Sequence, residues 1–179
     1  MKSFCITLLT LAIILLTILG VFLPQDRKSI NEEYLRIHIR ANSNEEVDQS
    51  VKYLVKEKLV CYFTPILSEC KTKEKAEIEI KNRLNEVERI ANEVLALNGY
   101  DYKSSARLNY ELFPTRTYED LTLNGGYYDA LIVELGEGKG DNWWCVVYPP
   151  LCFVDSGAGY IYKSKILEII KDFYKAKGE

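Results

Sequence analysis

A single histidine, His38, has to carry any imidazole chemistry in this chain of 179 residues. That scarcity excludes His-rich metal sites and leaves a Ser-His or Cys-His catalytic pair no choice of base. Positive charge is also short: 23 Lys and Arg stand against 26 Asp and Glu, a net charge of -3. The basic field that nucleic-acid binding usually needs is therefore missing, and no nucleic-acid partner is expected. Five cysteines in so long a chain do not make a disulfide-dense scaffold, and with five prolines and ten glycines no low-complexity stretch or repeat is formed. No Gly-x-Ser-x-Gly elbow, His-Glu-x-x-His helix or EF-hand loop occurs, so no catalytic residue, metal or cofactor is assigned.

Charge is absent altogether from Phe4 to Leu23, a run of mostly Leu and Ile behind Met1-Lys2-Ser3. About 20 residues make a helix near 30 Å long, enough to cross a hydrocarbon core. Lys2 and the free amino group favour a cytoplasmic N-terminus, while Asp26 offsets Arg27 and Lys28 on the other flank. Residues 1–23 thus read as a signal or anchor segment contacting the membrane, with the remainder exported. No A-x-A-like site precedes Pro24, so anchor and cleaved signal both stay open. Residues 24–33 read as a polar linker and 34–179 as one exported domain, a size that can bury about two thirds of its unfolded surface.

Strict alternation in Tyr34-Leu35-Arg36-Ile37-His38-Ile39-Arg40 predicts a half-buried strand, with Leu35, Ile37 and Ile39 inward and a basic outer face. Ser43-Asn44-Glu45-Glu46 fits a capping box, in which Ser43 and Glu46 would satisfy each other's backbone N–H groups. The helix that follows carries Val47, Val51, Leu54, Val55, Leu59 and Tyr62 at helical spacing until Pro65 stops it. A second, longer helix is predicted from Thr72, with Ile80, Leu84, Val87, Ala91, Val94 and Leu95 on one stripe and Asn98-Gly99 as a left-handed cap. Beyond Gly99 the composition turns to Tyr, Leu, Val and Trp, predicting strands near Ala106 to Phe113, Tyr127 to Leu135 and Asn142 to Val147. Asn124-Gly125-Gly126 and the run from Gly136 to Gly140 read as turns between them, and Ser164 to Tyr174 as an amphipathic C-terminal helix. Elements segregated by type along the chain argue for an α+β fold: a strand, two helices, a run of mainly antiparallel strands and a last helix.

Gly136-Glu137-Gly138-Lys139-Gly140 lacks the spacing of a phosphate loop and leads from strand to strand, so a hairpin turn is the expected role. Cys145 and Cys152 flank Tyr148-Pro149-Pro150-Leu151. If the chain folds back there the sulfurs meet, and a disulfide and two buried thiols are both open readings. Recognition is assigned to groups expected at the surface: Arg36, His38 and Arg40 on the strand face, with Lys139, Trp143 and Trp144 by the glycine run. Adjacent tryptophans on a strand point to opposite faces, so one of them is a candidate interface anchor. The rival reading is an envelope hydrolase that uses Cys145 or Cys152 with His38.

Two blocks together resemble the stage II sporulation protein R family of endospore-forming bacteria. The first is Leu35-Arg36-Ile37-His38-Ile39-Arg40-Ala41-Asn42-Ser43, followed by Asp48-Gln49. The second runs unbroken from Gly136 through Trp143-Trp144-Cys145 and Tyr148-Pro149-Pro150-Leu151-Cys152 to Asp155. Phe113-Pro114-Thr115-Arg116-Thr117-Tyr118 matches in kind between them. The chain departs from the family in the first helix, where Leu54 replaces a cation, and in Asn124-Gly125, where Pro-Ala is usual. The resemblance implies a signalling protein made in the forespore and exported into the space between forespore and mother cell. There it would activate a membrane-embedded aspartic peptidase that processes pro-sigma-E.

Overall fold

The computed structural model describes residues 30–118, 121–153 and 160–178, and the apolar segment 1–23 lies outside them. A single 3₁₀ turn at Ile30–Glu33 enters the fold, so the last residues of the expected linker are already structured. Strand β1 (Leu35–Arg40) follows, then helices α1 (Glu46–Leu67), α2 (Lys73–Lys81) and α3 (Leu84–Leu97). Strands β2 (Ser104–Phe113), β3 (Arg116–Tyr118), β4 (Leu121–Leu123), β5 (Gly126–Leu135) and β6 (Asn142–Tyr148) come next, and helix α4 (Tyr160–Lys177) comes last. The class is α+β, as the segregation of elements predicted.

The main sheet has the order β2-β5-β1-β6, with β3 and β4 forming a separate hairpin. It is mixed: β1 runs parallel to β5 and antiparallel to β6, and β2 runs antiparallel to β5. Central placement changes the reading of β1. Leu35 to Ile39 are all buried, so the strand is covered on both faces and not half-buried. Leu35, Ile37 and Ile39 join Leu131, Val133, Cys145 and Val147 in the core beneath the helices. On the opposite face Phe113, Leu123, Tyr128, Ile132 and Val146 form a second core, and Tyr118 and Leu121 of the β3–β4 hairpin pack against it.

The predicted capping box is replaced by another arrangement. Glu45 is the N-cap residue and makes no side-chain cap bond. Ser43 Oγ instead accepts from Glu45 N–H and donates to Asp48 Oδ2. Pro65 does not end α1 but sits inside its last turn, where a missing N–H removes one bond and Thr64 Oγ1 donates back to the Val60 carbonyl. Val47 and Leu54, counted in the apolar stripe, are 58% and 43% exposed, and Phe63 and Leu67 take their places in the core. The long second helix is two helices broken at Asn82 and Arg83. The break lets Ala76 and Ile80 of α2 and Val87, Ala91 and Leu95 of α3 all turn their buried sides to one core.

Candidate functional site

The two blocks that stood a hundred residues apart in the sequence meet at the C-terminal end of β1. Because β1 lies between β5 and β6, residues 136–141 cannot form a hairpin turn. They cross over the end of β1, and the expected hairpin is corrected accordingly. Gly140 N–H donates to the Ala41 carbonyl at 2.9 Å and Lys139 N–H to the Asn42 carbonyl at 3.2 Å. Glu137 N–H donates to Asn42 Oδ1 at 2.9 Å, and Asp141 N–H to Asn44 Oδ1. A Cβ at Gly140 would collide with the Ser43 carbonyl, and at Gly136 (φ 58°) with the Asn42 side chain. The glycines are spaced by this crossing and not by a phosphate.

Asp48, in the first turn of α1, holds the same junction. It is 4% exposed and accepts from Asn42 Nδ2 (2.8 Å), Ser43 Oγ (2.6 Å) and Tyr102 OH (2.7 Å). Burial acts to raise the carboxyl's pKa, but the hydrogen bonds from Ser43, Tyr102 and Asn42 outweigh it and hold the value below the usual range. Lys52, 1% exposed, donates from Nζ to the Asp141 carbonyl and to Gln49 Oε1, so α1 also grips the glycine segment. Burial lowers the Lys52 pKa against the opposing pull of Asp141. Asp48 belonged to the first block of the resemblance, but nothing in helical periodicity marked it or Lys52 as buried.

The basic face of β1 is not a surface. Arg36 is fully buried and His38 is 1% exposed, because β3–β4 and the Phe113 and Tyr128 rings close over that side of the sheet. The Arg36 guanidinium carbon lies 4.3 Å from the Phe113 ring centre and 4.8 Å from that of Tyr128, and Nη2 donates to Tyr118 OH. No carboxylate pairs with it among the described residues, and burial lowers its pKa. His38 stacks on Trp144 with ring centres 3.6 Å apart and places Nδ1 3.3 Å from Glu111 Oε2. Burial is the first cause lowering its pKa, with Arg40 adding to it, so the ring is neutral at pH 7.

Arg40 is the accessible member of the three, and it joins a charge network spanning three strands. It pairs with Glu111 of β2 at 2.8 Å and with Glu134 of β5, which in turn pairs with Arg107 of β2. These pairs, chiefly the bond from Arg107, lower the Glu134 pKa. The tryptophans do point to opposite faces, but neither is bare. Trp143 packs on the helix-side core beneath Lys56, and Trp144 lies among His38 and Phe113. Lys139 is the most exposed candidate, 75% by side chain, and pairs with Glu137. The six recognition candidates therefore divide: Arg36 and His38 are interior, Arg40, Trp143 and Trp144 are half-buried, and Lys139 is free to make contacts.

Cys145 and Cys152 are joined in a disulfide, with Cα atoms 6.2 Å apart. Cys152 lies in a 3₁₀ turn, Leu151–Phe153, so the bond closes a compact bend and not a strand ladder. The register puts His38 beside Trp144 and Ile37 beside Cys145. The imidazole and the sulfur thus project from opposite faces of the sheet, which breaks the proposed Cys-His pair. Cys61 and Cys70 are free thiols, the first exposed and the second buried.

Fold and site together describe an α+β domain whose polar side chains are used to lock one end of a mixed sheet. The family model of stage II sporulation protein R matches residues 31–158. A relative from Bacillus subtilis (strain 168), named stage II sporulation protein R, is 32% identical over 136 residues, covering 76% of this chain and 61% of the relative. The chain belongs to the stage II sporulation protein R family, and is a sporulation protein. The matched part spans 61% of the length of that curated relative. No solved structure matches.

Proposed function

We propose that this chain is an exported signalling protein that activates a membrane-embedded aspartic peptidase, which then processes pro-sigma-E and couples forespore to mother-cell gene expression. Family membership is the observation that carries the reading. Three features support it. The uncharged run from Phe4 to Leu23 suits delivery across the forespore membrane into the intermembrane space. The single histidine is buried, neutral and stacked, which suits a structural part better than a catalytic one. The glycine segment presents Glu137 and Lys139 to solvent from a backbone fixed by the Asn42, Asn44 and Gly140 bonds, a rigid and adaptable-tipped contact surface.

Recognition on this reading falls to Lys139, Arg40 and the accessible part of Trp143, around the crossing over β1. The test is co-expression of the chain with the peptidase and pro-sigma-E, reading the shortened sigma factor. Lys139→Glu together with Trp143→Ala should lower processing at least tenfold while the protein accumulates normally. Blocking thiols together with His38→Asn should leave processing within twofold. Loss of processing in His38→Asn at normal abundance and fold would favour the cysteine hydrolase instead, since Cys145 and Cys152 are disulfide-bonded and out of reach of thiol reagents.

A further inference from the structure

Strand β2 is an edge of the main sheet, ten residues long, and its two halves are treated differently. At its start, Ser104 N–H donates to Asn92 Oδ1 and Ala106 N–H to Glu88 Oε1, both from α3. These bonds show that even-numbered residues turn their backbone groups to the free edge, the odd ones facing β5. From Leu108 onward the edge is bare: no described residue bonds the outward groups of Leu108, Tyr110 or Leu112. The same end carries the exposed apolar side chains of the sheet, Tyr110 at 58%, Leu112 at 61% and Tyr127 at 52%, with the two tyrosine rings stacked at 5.4 Å. A long uncovered apolar edge is a template for strand pairing.

We propose that this edge pairs with the β2 edge of a second copy of the chain, antiparallel, about a two-fold axis at Asn109. Charge and pattern select this occupant. Arg107-Leu108-Asn109-Tyr110-Glu111 is complementary to itself when reversed. Rotation about Asn109 sets Arg107 of one copy opposite Glu111 of the other, twice, and Leu108 opposite Tyr110. The phase of the ladder agrees, since Leu108 and Tyr110 both direct their backbone groups outward and would exchange about four hydrogen bonds. Shifting the axis to Tyr110 would set Arg107 opposite Phe113 and Glu111 opposite Asn109, which loses both charge pairs. The axis at Asn109 also lays the α3-covered half of each β2 against the bare half of the other. The apolar end around Leu112 thereby comes beside the flank of the second copy's α3, on the face the two share.

The test uses the full chain in the membranes of cells that produce it, with Cys5 and Cys61 changed to serine. At the axis the two Asn109 Cα atoms would be about 4.5 Å apart, within reach of a disulfide. Asn109→Cys should run mainly as a reducible band of twice the chain's mass under mild oxidant. Ser105→Cys, whose opposite residue is Phe113, should stay single. Adding Tyr110→Pro to Asn109→Cys removes an outward N–H while sparing the bonds to β5, and should reduce crosslinking at least fivefold with far-UV circular dichroism unchanged. The proposal is overturned if Asn109→Cys stays single while its thiol reacts freely with maleimide, or if Tyr110→Pro crosslinks equally well.

Discussion

Replacing Asp48 by alanine removes the acceptor for Asn42, Ser43 and Tyr102 at one stroke. A hydrogen bond to a charged group contributes about 1.5–3 kcal/mol when buried. All three donors are half-buried, so water can recover part of each, and about 1 kcal/mol per bond is the better figure. The expected loss is thus about 3 kcal/mol, against a total of roughly 5–15 for a domain of this kind. Asp48→Asn keeps the shape but faces Asn42 and Ser43 with a donor, for a loss of about 2 kcal/mol. Tyr102→Phe should cost about 1 kcal/mol alone and almost nothing when Asp48 is already alanine. Urea unfolding in mild detergent, followed by tryptophan fluorescence, supplies the energies. Amide exchange at Glu137, Lys139 and Gly140 reports whether the crossing loosens as well. A loss below about 1 kcal/mol for Asp48→Ala, with unchanged exchange, would refute the claim that Asp48 holds this junction.

Gly140→Ala should destabilise by about 2 kcal/mol or more, since the new Cβ meets the backbone carbonyl of Ser43 and no side-chain movement relieves it; Gly99→Ala, in open space though strained by a positive φ, should cost about 1. Reducing the Cys145–Cys152 bond should remove about 2.5 kcal/mol, the loop-closure value for a ring this small. Mass spectrometry of alkylated protein should count two more reactive thiols after reduction than before. For His38, burial depresses the folded pKa, so the unfolded chain binds the extra proton first. Stability should therefore fall as pH drops below about 6.5, with a slope of at most about 1.4 kcal/mol per pH unit. The slope in this window should shrink in His38→Phe, measured by urea titration between pH 7.5 and 5. Asp48 acts in a lower window, its contribution present above about pH 4 and lost as pH falls through the depressed folded value.

Composition located the strands at Ala106, Tyr127 and Asn142, because β-branched and aromatic residues set between Gly and Pro turns mark a strand whatever its partner. What it could not supply was the neighbour. Residues Arg36 and His38 alternate with Ile37 as an exposed face would, and their burial is decided by Phe113, Tyr118 and Tyr128, which arrive some eighty residues later. The glycine run illustrates the same limit. Its residues are those of a turn, and only the insertion of β1 between β5 and β6 makes it a crossing. Ser43 pointed to a helix start, but its hydroxyl accepts from Glu45 N–H and donates to Asp48 in place of the reciprocal bonds with Glu46. The pairing of Cys145 with Cys152 was legible as a possibility from spacing alone, since a bend was already signalled by Pro149 and Pro150.

The most direct measurement of the proposed role compares two forms of the chain in cells holding the peptidase and pro-sigma-E: one with residues 1–23 and one without, kept in the cytoplasm. The account predicts that the form with the apolar segment yields shortened sigma-E and that the cytoplasmic form, equally abundant and folded, yields none. Equal processing by both would contradict it, as would no processing by the form that carries the segment.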